Sequence, residues 1–165
     1  MTLSVPEADR YNYGEPYLRA RIISALGGRA AEQVVYNSVT TGAENDLKQV
    51  SDIARAMVTR WGMSQEVGLL ALSGNEDGNF LEQGPVGSAT RPYSEETARA
   101  IDAATKRIVD ESYTKALDKL RNNRERLDAL AHALLREESL GEEQIREVTG
   151  LPKRPAVESA IAAHR

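Results

Sequence analysis

Apolar positions recur every three or four residues over five stretches of this chain, and that spacing predicts helices. The first run places Leu18, Ile22, Ala25, Leu26, Ala30 and Val34 on one face. It starts at Glu15-Pro16, where proline suits a first turn, and ends near Tyr36-Asn37. Gly27-Gly28 sits inside it, each glycine costing about 0.5–1 kcal/mol relative to alanine. The pair marks either a break or the close approach of another backbone, and close approach is the expectation preferred. The second run, Leu47, Val50, Ile53, Ala54, Met57, Val58 and Trp61, follows Thr41, read as an N-cap whose capping box is completed by Glu44. Gly62 is its natural stop.

Ser94 opens a third, long helix, with Glu95 and Glu96 in the first turn where they complement the helix dipole. Its face reads Ile101, Ala104, Ile108, Ser112, Leu117 and Leu120, and it runs to Arg121. Asn122-Asn123 break it. A fourth helix over 124–137 carries Leu127, Leu130, Ala131, Leu134 and Leu135, and a fifth over 142–149 carries Ile145 and Val148 before Gly150. Two apolar patches lack the helical period and are predicted to be short strands, one over 2–5 and one, buried, over 67–72. Residues 73–93 hold four glycines and two prolines and are expected to form a long mobile loop. Residues 151–165 are expected to be a disordered tail. The fold class is therefore mainly α, with a short strand region and a C-terminal helical hairpin over 94–150.

Composition narrows the function. A chain of 165 residues, 41% apolar and 28% charged, suits one globular domain. Lys and Arg number 21 against 25 Asp and Glu, and a net charge of −4 disfavours nucleic acid as a partner. Cysteine is absent, which removes disulfides, thiol nucleophiles and Cys-based metal sites. The two histidines, His132 and His164, are too few for a His-rich metal centre. No stretch approaches the ~18 apolar residues of a membrane span, and the N-terminus lacks a signal-peptide pattern, so the chain is expected to be soluble.

Three side chains are candidates for chemistry. Asp46 falls on one helix face with Val50, Ile53 and Met57. A carboxylate on an apolar stripe is costly to bury unless it is capped, paired or bound to a metal. It is read either as a first-turn acid meeting free N–H groups or as a metal or partner ligand. Glu32 is read as a solvated helix charge, with Arg29 available to pair with it or with Gln33, or as a functional acid. His132 lies one step off the Leu130–Leu135 stripe and reads as a surface histidine; His164 has no assigned role.

Three contiguous blocks carry a resemblance. Ala25-Leu-Gly-Gly-Arg-Ala-Ala-Glu-Gln-Val-Val-Tyr36, Thr40-Thr-Gly-Ala-Glu-Asn-Asp-Leu-Lys48 and Ala54-Arg-Ala-Met-Val-Thr-Arg-Trp-Gly-Met-Ser64 resemble, in order and spacing, the FtsH family of ATP-dependent, membrane-anchored zinc metalloproteases. Ser94-Glu-Glu-Thr-Ala98 fits the head of that family's C-terminal hairpin. The resemblance covers residues 5–150. It implies zinc held by two histidines of an HExxH helix and by an Asp from a later helix, with the Glu between the histidines as general base. That Asp corresponds to Asp46. Glu32 matches an acidic position beside the zinc site, expected to support the ligands rather than bind the metal. Gly27-Gly28 would then admit the HExxH helix.

The sequence contains no HExxH, and Gln33 stands where the family commonly has a second Glu. The HExxH helix, the ATPase module and the membrane anchor are expected upstream of residue 1. On this reading residues 1–72 are the zinc-site half and 94–150 the hairpin. No catalytic residue lies in the chain itself, which is expected to bind zinc weakly and to be inactive alone. The whole protein would be a membrane-anchored homo-hexamer with a cytoplasmic-facing peptidase domain acting on protein substrates. The alternative is a non-catalytic helical interaction or oligomerisation module. Apolar surface is expected to lie exposed around 26–34 and 50–57 and to drive self-association.

Overall fold

The computed structural model describes residues 13–69 and 93–152. Among them the elements are α1 (Glu15–Ala25), α2 (Gly27–Tyr36), a 3-10 turn (Thr41–Ala43), α3 (Glu44–Thr59), α4 (Glu95–Arg121), α5 (Arg124–Glu137) and α6 (Glu142–Thr149). No strand occurs among the described residues. The chain divides into two compact units, residues 1–118 and 119–165.

The first predicted helix is two. Leu26 keeps a right-handed backbone but opens to φ −76° and ψ −6°, ending α1 and starting α2. The glycine pair, weak in a helix, sits just beyond this hinge. A Cβ built on Gly27 or Gly28 would meet nothing within 4 Å, so no described part of this chain packs closely on them. Of the two readings of the pair, the break is the one observed. Asn37 closes α2 in the left-handed conformation, its N–H donating to Gln33 O.

In the first unit α1 packs against α3. Each contributes the residues its periodicity selects: Leu18 and Ile22 from α1, Val50, Ala54, Met57 and Val58 from α3, all buried. Leu26 and Ala30 are buried as well. The expectation of exposed apolar surface at 26–34 and 50–57 is thus overturned at its main positions, because this unit closes its own core. Exposed apolar side chains of this unit lie elsewhere, at Tyr13, Tyr17, Tyr36, Val39, Trp61 and Leu69.

α4 turns Ala98, Ile101, Ala104, Ile108, Ser112 and Ala116 inward. Ala116 takes the place expected of Leu117, which is only half-buried. Polar ties run from α4 to each neighbour. Glu111 accepts from Arg19 at 3.0 Å, Tyr113 donates to Gln33, and Asp102 accepts from Arg55 at 3.4 Å. Arg107 pairs with Glu66, which also accepts from Ser64 at 3.2 Å. The Arg107 guanidinium holds the Glu66 carboxyl below the ordinary carboxylate value.

The predicted strand over 67–72 is not formed at its start. Residues 65–67 are a turn, Gly68 has φ +77°, and Leu69 is 93% exposed. Gly62 takes φ +60° after α3, where a Cβ would press on Leu69 Cα at 3.4 Å, and Met63 N–H reaches back to Met57 O. The described start of the apolar run, residues 67–69, is spent on this tight exit. Residues 70–72, the predicted strand at 2–5, the loop at 73–92 and the tail from 153 lie outside the described residues.

The second unit pairs α5 with α6. Its boundaries match the predicted ones, because each is set by local signals. Glu138 closes α5 in the left-handed conformation, Gln144 accepts from Gly141 N–H at 2.8 Å, and Gly150 stops α6 at φ +63°. Leu135 is 82% exposed.

Two outcomes follow from the packing. Ile22→Ala empties a fully buried site and lowers unfolding free energy by about 2–5 kcal/mol in denaturant titrations, whereas Leu135→Ala changes it by less than about 0.5 kcal/mol. The Glu66 carboxyl is held low, so what its pair with Arg107 contributes is present above the unfolded carboxylate pKa and is lost as pH falls through the lowered folded value. Arg107→Gln raises the Glu66 titration midpoint, read by carboxyl-carbon NMR, toward the ordinary 4.5; an unmoved midpoint excludes the pair.

Candidate functional site

The entry to α3 is built from two side chains and the backbone they hold. Glu32, half-buried on the second turn of α2, accepts two hydrogen bonds from Thr40: one from its backbone N–H at 3.0 Å and one from its hydroxyl at 3.1 Å. Thr40 Oγ1 in turn accepts from Gly42 N–H at 3.3 Å and so caps the 3-10 turn. The turn runs directly into α3, with Glu44 N–H donating to Thr41 O. The capping residue is Thr40 rather than the expected Thr41. Because a 3-10 turn is interposed, Ala43 becomes the N-cap of α3 and offers no side-chain bond, and Glu44 completes no capping box.

Asp46 occupies the first turn of α3. It shares a helix face with Val50 and Met57, which are fully buried, yet is itself exposed, since the first turn projects beyond the core. The desolvation cost that an apolar stripe implied is therefore absent. Asp46 makes no hydrogen bond or ion pair with any described residue. It is a first-turn acid, favoured by the helix dipole, whose oxygens remain available to a cation.

Glu32 is a half-buried helix charge whose bonds lie at the surface, and its partner is Thr40 rather than the expected Arg29. Its carboxylate is engaged by Thr40, and Gln33 accepts from Tyr113. Sequence reasoning missed Thr40; its position eight residues after Glu32, at the head of the Thr-Thr-Gly-Ala block, was the available signal. His132 is exposed on α5 in the second unit, as expected of a surface histidine. His164 lies outside the described residues.

The fit to a metal can be judged from these donors. Asp46 offers one free carboxylate, a suitable oxygen ligand for zinc. Among the described residues no group of three or more His, Cys, Asp or Glu side chains could hold a metal ion. The described part of the chain thus offers one free carboxylate here, and further residues that could complete a tetrahedral metal site are not among it. A separate cleft of about 540 Å3 lies in the first unit, lined by Glu15, Arg19, Met63, Glu66, Arg107 and Glu111 among others, and neither Asp46 nor Glu32 borders it.

Comparison with known proteins places this arrangement. The model of Peptidase family M41 matches residues 1–148. An ATP-dependent zinc metalloprotease FtsH from Thermobaculum terrenum is 62% identical over 151 residues, covering 92% of this chain and 23% of the relative. A protein of the same name from Syntrophus aciditrophicus is 49% identical, covering 96% of this chain and 22% of its own length. FtsH 4 of Sphaerobacter thermophilus is 45% identical, covering 99% and 24%. The chain spans about a quarter of the length of these relatives. With a family model running through both units and identities this high, the chain belongs to peptidase family M41.

Proposed function

We propose that this chain is the C-terminal part of the peptidase domain of an ATP-dependent zinc metalloendopeptidase, and that Asp46 is a protein ligand to its zinc. The observation that carries the reading is the state of Asp46: a carboxylate exposed on the first turn of α3, without a described partner, inside the block shared with the family. Support for the activity comes from the relatives, which bear the name ATP-dependent zinc metalloprotease. They favour it over a non-catalytic interaction module.

When bound, zinc supplies Lewis-acid polarisation and lowers the pKa of a coordinated water. This chain's own contribution is to hold one anionic oxygen ligand at the end of a helix whose lower half is locked in the core. The remaining ligands and the general base are assigned to an HExxH helix, which this sequence does not contain. Glu32 serves the site from α2 by fastening the turn from which α3 starts.

The same reading assigns protein substrates, a homo-hexameric assembly and a membrane anchor to the whole protein, with the peptidase facing the cytoplasm. Among the described residues no helix is long and apolar enough to cross a membrane, so the anchor is assigned elsewhere in the protein.

In the zinc-loaded protein carrying this chain, Asp46→Ala lowers zinc occupancy and removes chelator-sensitive casein hydrolysis. The loss exceeds the roughly 10–100-fold that follows removal of an outer hydrogen-bond partner of a metal ligand. The assembly's sedimentation is unchanged. Full zinc content together with full proteolysis in this variant would refute the ligand assignment. The purified 165-residue chain alone, offering one carboxylate, cleaves no casein; chelator-sensitive cleavage by it would count equally against the reading.

A further inference from the structure

Asp46 is aimed from outside its own helix. α3 is held at its underside by Val50 and, just before it, by Ala43 in the 3-10 turn, both buried. These contacts fix the depth of the helix start. The course of the helix is set by Val50, Ala54, Met57 and Val58, but its first turn lies ahead of them, and the N-cap Ala43 has no side-chain oxygen to bond that turn's free N–H groups. The direction of that turn falls to Thr40, six residues before Asp46.

Thr40 makes three bonds with two groups. Its N–H and its hydroxyl both donate to the Glu32 carboxylate, and its Oγ1 receives the Gly42 N–H. The donors are all used in one sense: the hydroxyl proton goes to Glu32, leaving a lone pair on Oγ1 for Gly42. A carboxylate acceptor makes the two bonds to Glu32 charge-assisted and stronger than neutral ones. The result is a brace from α2 to the turn that launches α3. From Gly42 the path to Asp46 is rigid, being three residues of 3-10 turn and the first turn of a 16-residue helix.

We infer that Thr40 is a positioning residue: it fixes the direction in which α3 presents the Asp46 carboxylate. The inference rests on the ligand reading of Asp46. Metal ligation is sensitive to such aiming, because productive ligand distances hold within about 0.2 Å. Thr40 is exposed, so its removal opens no cavity and leaves the core intact.

The test compares Thr40→Val, which keeps the shape and loses the hydroxyl, with Thr40→Ser, which keeps the hydroxyl, and with Asp46→Asn. Zinc affinity is measured by competition with a chromogenic chelator in the zinc-loaded protein. Amide exchange at Gly42 is measured in the same variants of this chain, together with thermal midpoints. The expected result is about 10–100-fold weaker zinc binding in Thr40→Val and recovery in Thr40→Ser. Gly42 exchange rises roughly 5–10-fold in the valine variant only, the equivalent of one hydrogen bond. Thermal midpoints stay within a few degrees of one another. Loss of zinc in Asp46→Asn with undiminished affinity in Thr40→Val overturns the positioning role alone. Undiminished affinity in both overturns the ligand reading and the inference with it.

Discussion

The packing of α1 on α3 is the constraint on which the remainder of the first unit depends. Ile22, Val50, Ala54, Met57 and Val58 are all fully buried, and they lie at helical spacing along the two elements. Burying the isoleucine, valine and methionine side chains is worth about 1.5–3 kcal/mol each, enough to fix where α3 lies. Once α3 is fixed from Val50 downward, its first turn must stand clear of the core. An acid placed there is free of the desolvation that would neutralise or pair it lower on the same face. The apolar stripe thus places Asp46 at the exposed start of the helix, where it can be reached.

The second layer of control is polar. Glu32, Thr40 and Gly42 connect α2 to the start of α3 by hydrogen bonds, those between Glu32 and Thr40 crossing eight residues of sequence. Across α4, Glu111, Tyr113 and Asp102 receive or send one bond each to α1, α2 and α3, and Arg107 secures the exit from α3 through Glu66. Most of these groups are exposed, so each tie adds little stability. Their effect is directional: apolar burial sets distances between helices, and the polar ties set how the loops between them run.

How much of this could be read from the sequence follows from how local each signal is. Ser94 caps α4 through Thr97 N–H, Asn122-Asn123 part α4 from α5, and Gly150 ends α6. Each of those devices acts within a turn of itself, and the boundaries from 94 to 149 were legible. The hinge at Leu26 was half legible: the glycine pair announced a departure from a plain helix, and a break lies beside it, with no described residue packed on either glycine. The start of the apolar run at Val67 misled because a strand needs a partner strand and a core to face, neither of which a short run reveals; Leu69 is exposed instead. At the site, periodicity found the face on which Asp46 lies, while the proposal that it ligates zinc came from the resemblance of the surrounding block. Thr40 escaped notice because its partner Glu32 sits on another helix, and no periodicity links the two.

The central claim is that an M41 peptidase draws one zinc ligand from the first turn of α3. Anomalous diffraction at the zinc edge, on crystals of the zinc-loaded protein carrying this chain, tests it most directly. The account predicts a zinc peak about 2.0–2.2 Å from a carboxylate oxygen of Asp46, with Glu32 still bonded to Thr40 and off the metal. A zinc peak whose full set of ligands excludes Asp46, or includes Glu32 in its place, would contradict it.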